Sequence, residues 1–178
     1  REDFTCCHVV DYDPESGQVI QKQTHQGLSD ESAWARGQAW GFYGYVMCYR
    51  ETKNERYLDF AQKIAAYILD NAPDDMIPYW DYDVVQVSEE PRDASAGSLI
   101  ASALYELSEY VPMKSEFYIQ NADRILESLS SNNYRADIGT NQGKAFARMS
   151  AQSVAHLVMV IFIIFGNISY FYSRKKGI

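Results

Sequence analysis

The chain has 178 residues, enough for one domain with a sizeable core, and its 47% hydrophobic and 22% charged content is that of a soluble globular protein. Acidic residues outnumber basic ones by 24 to 16, and a formal net charge of -8 excludes the basic footprint that nucleic-acid binding needs. Cys6, Cys7 and Cys48 form no CxxC and show no ligand spacing, so neither a disulfide framework nor a zinc site is indicated, and no cofactor or metal is expected. No signal peptide is visible at Arg1 and no initiator methionine is present; the expectation is that Arg1 is not the natural beginning, which leaves the compartment open between cytoplasm and periplasm.

Residues 11–28 are polar and turn-rich, with Asp13, Pro14 and Gly17 inside an alternating segment that predicts a short β-hairpin. Ser29 or Asp30 is placed to cap a helix running to about Arg50, broken at residues 52–54. Asn54 then caps a second helix with the apolar stripe Tyr57, Ala61, Ile64, Ala65 and Ile68, stopped by Pro73. The loop over residues 73–92 is long for a compact domain, and its Tyr79, Trp80 and Tyr82 suggest that it folds over something. Asp93 caps a third helix with the stripe Ala96, Ile100, Ala103, Leu104 and Leu107, ended by Pro112. Ser115 opens a fourth, with Tyr118, Ala122, Ile125, Leu126 and Leu129 on one face. The sum is two αα-hairpins.

The stretch from residue 24 to residue 45, THQGLSDESAWARGQAWGFYGY, has a sugar-binding vocabulary. Trp34 and Trp40 offer flat apolar faces to a pyranose, Arg36 a fork of donors matched to a carboxylate, and Gln26 and His25 partners for hydroxyls. Arg36 and Trp40 are four apart and share a helix face. Gly37, Gly41 and Gly44 should each cost about 1 kcal/mol in a helix interior, which predicts close contact with another backbone at all three. A tightly packed helix with core tryptophans is the alternative, and composition alone weighs the two evenly.

Five segments tip that balance: HVVDYDP (8–14), THQG (24–27), ESAWARGQAWGFYG (31–44), IPYWDYD (77–83) and EPRDASAGSLIASALYELS (90–108). In this order they resemble the signature of glycoside hydrolase family 88, the unsaturated glucuronyl hydrolases. The resemblance implies an all-α fold, here a partial (α/α)6 barrel of αα-hairpins with a short β-hairpin near its N-terminus, residues 1–143 being the C-terminal half of the domain. It implies an enzyme that adds water across the 4,5-double bond of an unsaturated uronic acid at the non-reducing end of a lyase-generated oligosaccharide, releasing the neighbouring sugar. Such chemistry needs a carboxylic acid with a pKa near working pH, unlike the two carboxylates of ordinary glycoside hydrolysis.

In the family that acid is an aspartate upstream of the HVVDYDP motif, so no catalytic residue is assigned in this chain. Asp11, Asp13, Asp30 and Asp93 do not match its position; Asp13 has a sufficient reading as a turn former and Asp93 as a helix cap. The resemblance carries over the binding residues His8, Gln26, Trp34, Arg36 and Trp40. The rival readings are a related unsaturated rhamnogalacturonyl hydrolase and a noncatalytic carbohydrate-binding or membrane-tethered helical protein. A half-ring would leave apolar faces uncovered, so the isolated chain is expected to be marginal or completed by partners.

From about Lys144 the resemblance fades. Residues 144–178 contain LVMVIFIIF (157–165) and the basic cluster Arg174, Lys175 and Lys176. As a helix the roughly sixteen apolar residues would reach about 24 Å, short of a hydrocarbon core of about 30 Å, so membrane contact is the weaker reading. The abrupt change predicts instead a tail read out of frame with the ancestral gene.

Overall fold

The structure is a computed structural model that describes residues 1–85 and 90–134. The tail at 144–178 lies outside the described residues. Two strands, β1 (Val9–Tyr12) and β2 (Val19–Gln23), pair antiparallel as the sequence predicts. Asp13 builds their turn: its Oδ1 accepts from the backbone N–H groups of Glu15 and Ser16 and from the Ser16 hydroxyl, and Gly17 takes the left-handed conformation at φ 69°.

Four helices follow: α1 (Ala35–Thr52), α2 (Glu55–Asp70), α3 (Ala94–Tyr110) and α4 (Ser115–Ser130). Asn54 caps α2 by accepting from the Arg56 N–H, and Asp93 caps α3 by accepting from the Ala96 N–H. The start of α1 departs from expectation, because its two proposed caps are engaged elsewhere. Ser29 and Ser32 bond each other in a local turn, and Asp30 accepts from the Thr24 N–H. The helix begins five residues later, at Ala35, with Trp34 in the cap position.

Leu58, Ala61, Ile64, Ala65 and Ile68 bury the inner face of α2, and burial of each large aliphatic side chain is worth about 1.5–3 kcal/mol. α2 packs back on α1, α4 packs back on α3, and α1 lies beside α3. Arg36 reaches Asp93 at one end of the α1–α3 pair and Arg50 reaches Glu106 at the other, so the two helices run in the same direction. α1 and α3 are therefore an inner layer and α2 and α4 an outer one, as in part of an (α/α)6 barrel. Every residue from 94 to 104 on α3 is buried, and Gly97 lets Ile77 approach to 3.1 Å of where a Cβ would stand. Among the described residues no helix is long and apolar enough to cross a membrane.

Candidate substrate-holding site

Both inner helices start at the same end of the molecule, and the segments carrying the sequence-predicted residues gather there. The stretch before β1 is moored on α1 by Gln38, whose buried carboxamide accepts from the Cys6 N–H (2.8 Å) and donates to the Cys6 carbonyl (3.2 Å). Gly41 makes room for this, since a Cβ there would lie 2.5 Å from Cys6 Sγ. The mooring sets His8 over the start of α1, with its ring centroid 4.4 Å from that of Trp34 and the planes 35° apart.

His8 also organises the turn that follows β2. Its Nδ1 accepts from the backbone N–H groups of His25 (3.1 Å) and Gln26 (3.4 Å) and lies 3.1 Å from Thr24 Oγ1, which itself accepts from the Gly27 N–H (2.8 Å). An accepting Nδ1 places the ring proton on Nε2. Burial, and secondarily the neighbouring His25, lower the His8 pKa below its usual value, so the ring is neutral at pH 7.

Trp34 is fixed by long-range bonds on either side of it. Ala33 donates to Asp83 Oδ2 (2.8 Å), Ala35 to the Trp80 carbonyl (3.0 Å), and Tyr82 to the Ala33 carbonyl (3.0 Å). Its indole folds back over the first turn, where a Cβ on Gly37 would come within 3.0 Å of Trp34 Cε3. The Arg36 guanidinium stands 5.6 Å from the Trp34 ring centroid. Its Nε donates to Asp93 Oδ2 (3.0 Å), with Nη2 at 3.0 Å from the same oxygen. Asp93 Oδ1 meanwhile caps α3 through the Ala96 N–H and accepts from the Ser95 hydroxyl. One buried carboxylate thus joins the starts of both inner helices.

The structure therefore brings His8, Trp34 and Arg36 into one cluster, with Gln26 tied to it through its backbone and its exposed side chain beyond. Trp40 sits one turn further along α1, edge-to-face with Tyr43 at 6.3 Å. The cluster offers donors, namely His8 Nε2–H, the Gln26 carboxamide and Arg36 Nη1, beside an aromatic ring, a set that suits a hydroxylated and acidic ligand. The carboxylates around it, Asp30, Asp81 and Asp93, each hold structural hydrogen bonds. Among the described residues no group of three or more His, Cys, Asp or Glu is placed to hold a metal ion. The sequence reading did not name Thr24, Asp81 or the Arg36–Asp93 pair; these are contacts across up to 57 positions, and no local pattern signals them.

No protein-family model matches the chain. An unsaturated glucuronyl hydrolase of Formosa agariphila is 44% identical over 136 residues, covering 75% of this chain and 34% of that protein. The crystal structure of an unsaturated glucuronyl hydrolase specific for heparin superposes with a TM-score of 0.77 at 50% identity, over 79% of this chain and 38% of that one. A mutant unsaturated glucuronyl hydrolase from Streptococcus agalactiae, complexed with dGlcA-GalNAc6S, superposes with a TM-score of 0.66 at 34% identity, over 77% and 37%. The chain spans little more than a third of the length of these relatives. Over about three quarters of its own length, the chain is similar to part of the unsaturated glucuronyl hydrolases.

Proposed function

We propose that this chain is the substrate-holding part of an unsaturated glucuronyl hydrolase, an enzyme that hydrates the 4,5-double bond of an unsaturated uronic acid at the non-reducing end of a lyase-generated oligosaccharide. The observation that carries the reading is the convergence of His8, Trp34 and Arg36 at the shared end of the two inner helices. In this reading the Trp34 ring takes a sugar face, the neutral His8 donates from Nε2, Gln26 serves hydroxyls, Arg36 presents Nη1 to the carboxylate, and Trp40 closes the pocket from the next turn. Residues 1–143 are the C-terminal half of the catalytic domain, and residues 144–178 are a divergent segment outside it.

The chain holds sugar and does not turn it over, because the general acid belongs to the other half. Removal of a general acid slows a reaction by about 10² to 10⁴ even where another proton source remains. Titration of the chain with dGlcA-GalNAc6S, with the absorbance of the conjugated double bond followed in the same cell, tests this. Saturable binding with constant absorbance is expected. Decay of the absorbance would place an acid within this chain, and absence of binding would remove the site.

A further inference from the structure

Asp81 is fully buried, yet no cation is paired with it among the described residues. An unpaired carboxylate is held in such a place only if its oxygens are satisfied by well-placed donors. Its Oδ2 accepts from the Leu28 N–H (2.9 Å) and the Ser32 hydroxyl (2.7 Å), and its Oδ1 accepts from the Asp83 N–H (3.1 Å). Asp83 in turn accepts from the Ala33 N–H. Two carboxylates two positions apart thus grip both ends of the segment 28–33, which leads from the His8 turn into Trp34.

The grip is tight where it meets the ligand cluster. A Cβ on Gly27 would lie 2.7 Å from Thr24 Oγ1, 3.1 Å from Asp81 Oδ2 and 3.2 Å from Trp34 Cβ. Gly27 is therefore the point at which the turn carrying Gln26, the buried carboxylate and the tryptophan converge, with no room for a side chain. Asp81 also bridges Trp34 through the backbone. Asp81 Oδ2 thus stands between the Gln26 turn and Trp34, while α1 to α4 pack through the apolar core.

We propose that Asp81 is the positioning residue of the substrate-holding cluster: it touches no sugar, and it sets the Gln26 turn and Trp34 at the separation that ligand binding requires. This rests on the reading of the cluster as a sugar site. Each charge-assisted hydrogen bond to a ligand is worth about 1.5–3 kcal/mol and depends on its geometry, so a positioning defect shows in affinity.

The test compares the full chain with Asp81→Asn, Ser32→Ala and Ile125→Val, the last a core truncation away from the cluster. Asp81→Asn keeps the shape and sets an N–H group or a weaker acceptor against two donors; Ser32→Ala removes one donor and folds if the other variant does not. The readouts are the dissociation constant for dGlcA-GalNAc6S and amide hydrogen exchange along the chain. Asp81→Asn should weaken binding at least tenfold, Ser32→Ala about threefold, and Ile125→Val less than twofold even where it lowers the melting temperature as much. Faster exchange should be confined to residues 27–34. Binding by Asp81→Asn within twofold of the parent overturns the inference and leaves the sugar site standing. If the parent chain itself binds no disaccharide, the sugar reading falls, and exchange that speeds up uniformly rather than at 27–34 overturns the positioning role as well.

Discussion

At one end of the α1–α3 pair Arg36 meets Asp93, and at the other Arg50 meets Glu106; the chemistry is the same and the surroundings are not. Asp93 is 2% exposed, caps α3 with its second oxygen, and lies under the loops that bring His8, Gln26 and Trp34 together. Arg50 has a side chain 37% exposed, is shared with the outlying Glu51, and meets a Glu106 that also accepts from the Tyr110 hydroxyl. Around it Tyr49 and Tyr110 pack edge-to-face, with Lys53 above both. Ion pairs alone do not mark a site. What separates the two ends is that one has its charges buried by segments arriving from distant parts of the sequence.

The sharpest way to break this comparison is to remove each arginine. Arg36→Ala leaves the buried Asp93 oxygen without its cation and should destabilise the chain by about 3 kcal/mol, whereas Arg50→Ala removes a half-exposed arginine from a buried Glu106 that keeps the Tyr110 hydroxyl, and should cost less, about 1–2 kcal/mol. Urea melts of the two variants decide it, and equal losses would mean that the buried end has no special electrostatic role.

The glycines of α1 sharpen the comparison along the helix. Gly41→Ala drives a methyl into Cys6 Sγ, unmoors the segment that carries His8, and should destabilise by about 1 kcal/mol or more. Gly44 has nothing within 4 Å of its would-be Cβ, so Gly44→Ala should stabilise by about 0.5–1 kcal/mol through helix propensity. Thermal melts that move in the same direction for both would contradict the assigned packing.

A smaller effect concerns pH. The folded state favours neutral His8, so its contribution is whole above the ordinary imidazole value of 6.5 and is lost as pH falls from there through the lower value in the folded chain. Protonation removes the acceptor for His25 and Gln26, so the protection of those two amides, taken relative to the intrinsic exchange rate at each pH, should fall as the pH drops below 6.5, with no loss of protection at the Arg50 end. An exchange profile that ignores this range would show that Nδ1 does not hold the turn.

Much of this architecture was legible in the residues. The Asn54 and Asp93 caps, the Asp13 turn and the stripes of α3 and α4 depend on neighbours within a few positions, and local chemistry decides them; the stripe of α2 holds from Ala61 to Ile68, but Leu58 is buried at its start where Tyr57 was expected. The start of α1 was misplaced because Trp80, Asp83 and Asp81 overrule the capping preference of Ser29 and Asp30 from about fifty residues away. The expectation of backbone contact at three glycines failed because side chains take the space: Gly37 and Gly41 make room for those of Trp34 and Cys6, while among the described residues nothing lies within 4 Å of a Cβ at Gly44. The gathering of His8, Trp34 and Arg36 follows segments the sequence singles out, while the engagement of Arg36 by Asp93 needed the fold.

The most direct measurement is a chemical-shift map of the isotopically labelled chain as dGlcA-GalNAc6S is added. The account predicts the largest shifts at the Trp34 indole N–H, the His8 ring and the Gln26 carboxamide, with none at Tyr49 or Tyr110. Shifts centred on the Arg50 end, or none anywhere at saturating disaccharide, would contradict it.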